Sequence, residues 1–197
     1  MRAASLFTLI GTFALGALAD GAPCLTDSAA SRVANNFAAL IRSYTPELAE
    51  QALCTDFTDY SDSVAELINS GCPNGPQALG AATFTSLASF MAGQGSQPAI
   101  PFEILNTWHN CDTVTMRWRT SAPGTVVPEE PVTGIVVMET IYAGSGNDEP
   151  WLIETVYSEF NSGAWLYDLG IFVPTACNAT AAKHRRNLNF RPARRLL

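Results

Sequence analysis

The chain has 197 residues, 47% of them hydrophobic, and a formal net charge of −7, a length that fits a single domain with a sizeable core. Its 18 acidic residues all lie between Asp20 and Asp168, where the bases are four arginines, so this body has a net charge of −14. A body this acidic repels phosphate backbones, which argues against nucleic-acid binding.

The N-terminus has the pattern of a secretory signal peptide. Arg2 precedes an apolar segment, residues 3–17, and the small-residue sequence Ala17-Leu18-Ala19 follows. This pattern predicts cleavage after Ala19 and secretion. The apolar segment is shorter than the ~20 residues that a transmembrane helix requires. No later segment is apolar enough to span a membrane, so we expect no membrane span in the mature protein.

Two helices are predicted to begin the domain. Asp27 is the expected N-cap of the first, and its apolar positions between Val33 and Tyr44 recur at helical spacing. Thr45 and Pro46 have the pattern of an N-cap followed by proline at the first position of a second, short helix. We therefore expect a helical hairpin.

The next segment combines short polar residues with two aromatic residues. It predicts a short strand that ends near Tyr60 and a helical turn over residues 64–68. Gly and Pro residues at 71–76 end this helical turn. A further amphipathic helix is predicted from Thr83 to about Met91.

From Ile100 onward, apolar residues alternate with polar ones, which predicts strands. Tight turns are expected at Asn110-Cys111-Asp112 and at residues 144–148. Because helices precede strands, the sequence predicts an α+β fold in which four or five antiparallel strands carry helices on one face.

Five cysteines suit an oxidising compartment, where disulfides are expected. The hypothesis is two bridges, Cys24 with Cys177 and Cys72 with Cys111. Cys54 lies in an apolar segment of helical character and is the expected unpaired residue, buried as a small hydrophobe.

Three segments are similar to those of secreted fungal nuclear transport factor 2-like domain proteins, and the resemblance covers about residues 24–177. The segments are residues 56–63 (DFTDYSDS), 100–109 (IPFEILNTWH) and 157–166 (YSEFNSGAWL). The resemblance implies a cone, in which a curved antiparallel sheet wraps around N-terminal helices and encloses an apolar cavity. The wider superfamily includes dehydratases, isomerases, polyketide cyclases and non-catalytic adaptors, so the fold does not specify the function.

The chain is also similar to scytalone dehydratase at that enzyme's Asp-Tyr motif. Asp59 and Tyr60 match this motif, which implies that Tyr60 orients a water or a substrate oxygen. That enzyme also uses two histidines inside its sheet. Here His109 is the sole histidine of the body, and Trp118 occupies the position of one of them. The same dehydration mechanism is therefore not expected.

Carboxylates and His109 are the candidates for acid–base chemistry. Asp59, Tyr60 and Asp62 form a polar patch at the floor of the expected cavity or, alternatively, a turn that caps the next helix. Glu139 lies in an apolar strand, where it is either functional or paired with Arg117 or Arg119. His109 is at a turn, which is typical of a surface histidine. Neither a hydrolase nucleophile motif nor recognisable metal-ligand spacing is present, and no cofactor is expected.

Three functions follow as hypotheses. In the first, a secreted domain binds a small apolar molecule in its cavity, which is lined by Tyr60, Trp118, Tyr157 and Glu159. In the second, a cofactor-independent lyase or isomerase uses Asp59, Tyr60 and Asp62 with His109 or Glu139. In the third, the protein is an extracellular interaction protein that can form a homodimer through the outer face of its sheet.

The expected domain boundaries are residues 20–177, followed by a basic tail, residues 178–197. The tail contains six basic residues and no acidic residue, which is typical of a disordered end. Asn178 begins an acceptor sequence for N-glycosylation.

Overall fold

The computed structural model describes residues 23–121 and 129–173. The predicted signal peptide, Cys177, the Asn178 sequon and the basic tail lie outside these residues. The helices are α1 (Asp27–Arg42), α2 (Pro46–Ala52), α3 (Asp62–Ile68), α4 (Leu87–Gln94) and α5 (Ser162–Asp168). The strands are β1 (Leu53–Tyr60), β2 (Ala82–Phe84), β3 (Glu103–His109), β4 (Thr113–Thr120), β5 (Val132–Tyr142) and β6 (Trp151–Phe160).

The six strands form one open sheet in the order β2-β1-β6-β5-β4-β3. The predicted α+β class is confirmed. All neighbouring strands are antiparallel except β1 and β6, which are parallel. An all-antiparallel sheet was the expectation. It fails at this pair because β1 and β6 are far apart in sequence and are joined by a long crossover rather than by a hairpin.

Helix α1 lies against β3, β4 and β6 and covers one face of the sheet, here called the inner face. Its buried side chains include Val33, Phe37 and Leu40. On β4, Val114, Met116 and Trp118 are buried on the same face, whereas Arg117 and Arg119 are exposed on the opposite, outer face. The period-two pattern of this strand therefore sets which residues enter the core.

Helix starts follow the expected capping chemistry, with one change. Thr45 caps α2 and Pro46 occupies its first turn, as predicted. The N-cap of α1 is Thr26 rather than Asp27, because the Thr26 hydroxyl accepts a hydrogen bond from the Ala29 N–H at 3.2 Å. Asp27 instead occupies the first turn, where a negative charge is also favourable.

The predicted helix from Thr83 to Met91 is wrong in its first half. Thr83 is in strand β2, because this segment pairs antiparallel with β1. The Thr83 hydroxyl also donates to the Ser61 carbonyl at 3.0 Å and accepts from the Ser61 N–H. Helix α4 begins after Ser86, which forms a capping box with Ser89. Cys54 is buried as predicted and has no disulfide partner among the described residues, but it lies in β1 and not in a helix.

The predicted hairpin turns are confirmed, whereas the predicted disulfide pairing is wrong. Asn110 closes the β3–β4 turn by accepting hydrogen bonds from the N–H groups of Asp112 and Thr113. This turn lies beside the start of α1, so Cys111 is bonded to Cys24 rather than to Cys72. Among the described residues Cys72 has no disulfide partner and is exposed.

Candidate functional site

A cavity of about 110 Å³ lies between the inner face of the sheet and the helices. Most of its walls are apolar, and aromatic rings are frequent. Its lining residues are Phe37, Ile41, Asp59, Val64, Leu67, Ile68, Phe84, Phe90, Gln94, Gln97, Ile100, Phe102, Trp118, Val136, Ser158, Phe160 and Trp165. Of these, Ile68 and Gln97 are exposed, which places the opening between α3 and the segment that follows α4.

One wall of the cavity is a stack of aromatic rings around Trp118. The Trp118 ring stacks on Phe102 at a centroid distance of 4.5 Å and meets Phe160 edge-on at 5.6 Å. Its indole lies against Gly134, its register partner on β5. A Cβ on Gly134 would lie 2.8 Å from Cε2 of Trp118 and 2.6 Å from Cβ of Phe160. The absence of a side chain at Gly134 therefore allows this wall to form.

Asp59 is the sole titratable group among the described lining residues. It lies on β1, on the same face as the buried Phe57, and only 4% of its surface is exposed. Its Oδ1 atom is buried and has no hydrogen-bond partner in the described part of the chain. Burial, and secondarily the nearby charge of Glu159, raise the pKa of Asp59 to about 7. This carboxyl group can therefore exchange a proton near neutral pH.

Two other polar side chains at the cavity were not singled out from the sequence. Ser158 is buried on β6 on the same face as Val156. The alternation of β6 was the signal that could have identified it. Gln94 ends α4 and is 5% exposed. A polar residue at a helix end is common, so the sequence contains no signal that Gln94 faces a cavity.

The predicted lining set is partly corrected. Trp118 lies at the cavity, but Tyr60 and Tyr157 lie on the outer face of the sheet, where their rings stack at 5.4 Å. Both tyrosines are about half exposed, at 40% and 44%. Each tyrosine is next in sequence to an inward-facing residue of its strand. Because successive side chains of a strand point to opposite faces, both tyrosines point outward.

Glu159 is also on the outer face and binds the start of α3 instead of the cavity. Its carboxylate accepts hydrogen bonds from the N–H groups of Asp62 and Ser63, both at 3.0 Å, and from the Ser63 hydroxyl. The Asp62 carboxylate accepts from the Gly80 N–H at 2.6 Å. The predicted patch of Asp59, Tyr60 and Asp62 is thus divided. Asp59 faces the cavity, Tyr60 faces outward, and Asp62 holds α3 in place.

Glu139 and His109 lie away from the cavity. Glu139 is exposed on the outer face, opposite Thr113 and Thr155. The expected pair with Arg117 or Arg119 is not found among the described residues, and Arg119 binds Glu103 at 2.7 Å. His109 binds Asp27 at 2.8 Å at the surface, and this hydrogen bond raises the pKa of His109. The structure does not bring either residue close to Asp59.

In the part of the chain that the structure describes, no helix is both long and apolar enough to cross a bilayer. No cluster of three or more His, Cys, Asp or Glu side chains within residues 23–121 and 129–173 is arranged as a metal site.

One family model matches the chain, and two solved structures are similar to it. Residues 23–172 match the family model of the NTF2-like domain. A candidate polyketide cyclase from Bacillus cereus is similar at a TM-score of 0.51 and 16% identity, over 74% of this chain and 83% of that one. A candidate SnoaL-like polyketide cyclase from Jannaschia gives a TM-score of 0.49 at 10% identity, over 79% and 99% of the two chains. Among curated proteins no sequence matches.

Proposed function

The chain belongs to the NTF2-like domain family, and from this premise we propose that it is a secreted protein that binds a small, largely apolar molecule in its cavity. The cavity, whose described lining contains one buried carboxyl group, carries this proposal. Binding sites for small molecules are typically apolar clefts with few polar groups, each of which orients the ligand. The disulfide between Cys24 and Cys111 supports secretion, because such bonds persist in oxidising compartments.

The size of the cavity limits the ligand. Cavities of about 150 Å³ with apolar walls bind benzene, and this cavity measures about 110 Å³. Because benzene has six carbon atoms, this smaller cavity accommodates a ring of about five carbon atoms, or the end of a longer molecule that leaves through the opening beside Ile68. A larger polycyclic molecule would require the helices to move.

Replacing Val136 with phenylalanine tests where the ligand binds. Val136 is 1% exposed and lines the cavity, so a larger side chain there occupies part of the ligand volume. We expect the affinity for methylcyclopentane, measured by NMR titration, to fall at least about tenfold, which corresponds to about 1.4 kcal/mol.

Val137 provides the matched control, because it is the next residue on β5 and faces outward. The Val137→Phe variant makes the same chemical change on the other side of the strand, and its affinity for methylcyclopentane should stay within about twofold of the wild type. Equal loss of affinity in both variants would place the ligand outside the cavity and contradict the proposal.

A second candidate function, a cofactor-independent lyase or isomerase, is favoured by the raised pKa of Asp59. A carboxyl group with a pKa of about 7 is suited to general acid–base catalysis near neutral pH, a contribution of about 10²–10⁴-fold to the rate. Tyr60, Asp62, Glu139 and His109 have no place in this candidate, since none of them lines the cavity.

For any substrate that the protein converts, the Asp59→Asn variant should lower kcat by about 10²-fold or more, because asparagine cannot exchange the proton. The Asp62→Asn variant retains Asp59 and should lose much less activity. Full turnover by the Asp59→Asn variant would show that Asp59 is not the acid–base group.

A further inference from the structure

The buried carboxyl group of Asp59 has no cationic partner in the described part of the chain. Among the described lining residues of the cavity there is no lysine, arginine or histidine. The basic groups described are occupied or placed elsewhere: Arg32 binds Glu149, Arg119 binds Glu103, His109 binds Asp27, Arg42 donates to the Phe102 carbonyl, and Arg117 is exposed on the outer face. A carboxylate this deeply buried is costly unless a positive charge comes close to it.

The surroundings of Asp59 favour a cation in three ways. Aromatic rings, among them Phe37, Phe90 and Trp118, line the same cavity, and ring faces attract ammonium groups. The negative charge of Glu159 acts on Asp59 from the other side of the sheet. The body as a whole has 18 acidic residues against four arginines, so its field attracts cations towards the opening.

We propose that the ligand is a small organic amine, bound as the ammonium ion, with its charged nitrogen beside the Asp59 carboxylate and its apolar part against the aromatic wall. This inference rests on the proposed function, because it identifies the chemical class that the same cavity binds. With a cavity of about 110 Å³, the apolar part of the amine that fits inside has about five carbon atoms.

The two protonation states of Asp59 give this proposal a measurable signature. An ammonium ion pairs with the ionised carboxylate, so it competes with the proton for Asp59. Because the pKa of Asp59 is about 7 in the free protein, the affinity for an ammonium ion should be constant above about pH 8. Below about pH 7 it should fall by about tenfold for each pH unit. A neutral alcohol does not compete with the proton in this way.

The test compares three probes of nearly equal size: cyclopentylammonium, cyclopentanol and methylcyclopentane. Their affinities are measured by NMR titration of the full secreted chain between about pH 5 and 8. At about pH 8 we expect cyclopentylammonium to bind about tenfold more tightly than cyclopentanol. Only the ammonium probe should show the loss of affinity at low pH.

Two variants assign the effect to Asp59. The Asp59→Asn variant should lose both the preference for the ammonium probe over cyclopentanol and the pH dependence of ammonium binding. The Asp56→Asn variant removes the same charge from an exposed position on the same strand and should behave as the wild type. It therefore controls for the effect of the protein's overall negative charge on the affinity for the ammonium probe.

The outcomes separate this inference from the proposed function. If cyclopentanol binds as tightly as cyclopentylammonium, or if Asp59→Asn keeps the preference, the inference is overturned while the apolar cavity site stands. If none of the three probes shifts the resonances of cavity residues such as Val136 and Leu67, the proposed function itself fails, and the inference with it.

Discussion

Replacing Asp59 with asparagine is expected to increase the free energy of unfolding by about 2–4 kcal/mol at pH 8, and to leave it nearly unchanged at pH 4. In the wild type, burial raises the pKa of Asp59 to about 7 from an ordinary value of 3.8. The folded protein therefore binds the Asp59 proton more tightly than the unfolded chain does.

The sign of the pH dependence follows from this difference. Below about pH 4 the Asp59 carboxyl group is protonated in both the folded and the unfolded protein. Its contribution to the free energy of unfolding is then fully present. As the pH rises from about 4 to 7, the unfolded chain loses its proton first, so the folded state loses stability until its own carboxyl group ionises. Asparagine remains neutral at every pH, so the Asp59→Asn variant does not lose this stability as the pH rises.

Urea denaturation of the wild type and the variant at several pH values between about 4 and 8 measures the effect. The matched control is Asp56→Asn, because Asp56 is exposed on the same strand. The free energy of unfolding of Asp56→Asn should differ from that of the wild type by no more than about 0.5 kcal/mol, at every pH. A constant difference between Asp59→Asn and the wild type over this range would show that Asp59 titrates normally.

Replacing Gly134 with alanine is expected to destabilise the protein by about 3 kcal/mol, because overpacking a close contact displaces its neighbours. The new Cβ would lie 2.6 Å from Phe160 Cβ and 2.8 Å from both the Glu159 carbonyl oxygen and Trp118 Cε2. The backbone oxygen is fixed by the β5–β6 pairing, so the strain falls on Trp118 and Phe160. Since both rings line the cavity, the affinity for methylcyclopentane should also change.

Gly146 gives the control for this substitution. It lies in the β5–β6 turn, and a Cβ there would have no neighbour within 4 Å. Gly146→Ala should change the unfolding free energy by no more than about 0.5 kcal/mol. If thermal and urea unfolding showed the same loss of stability for Gly134→Ala and Gly146→Ala, the close packing of Trp118 on Gly134 would be contradicted.

The parts of the fold that local patterns determine could be predicted from the sequence. The alternation of apolar and polar residues predicted the strand β4, and Pro46 and Asn110 located a helix start and a hairpin turn. These features depend on neighbouring residues alone, so no knowledge of the tertiary structure was required.

The faces of β1 could not be assigned in the same way. The strand is irregular, with register shifts between Leu53 and Thr58 and between Asp59 and Tyr60. Its alternation therefore does not extend along its whole length. The sequence showed Asp59 and Tyr60 together as a candidate site, but only the pairing with β6 decides that Asp59 faces the cavity and Tyr60 faces outward.

Long-range partners account for the remaining differences. Cys24 is bonded to Cys111 because the β3–β4 turn lies beside the start of α1. Glu159 binds α3 because β6 brings it next to Ser63, which is 96 residues away in the chain. No spacing in the sequence encodes either contact.

Binding of a small molecule inside the cavity is tested most directly by intermolecular NOEs between methylcyclopentane and the methyl groups of the protein. A ligand in the cavity should give NOEs to Val136 and Leu67, which line it, and none to Val137 on the outer face. Saturable binding with NOEs only to outer-face residues, or no NOE to any cavity methyl group at saturating probe, would contradict it.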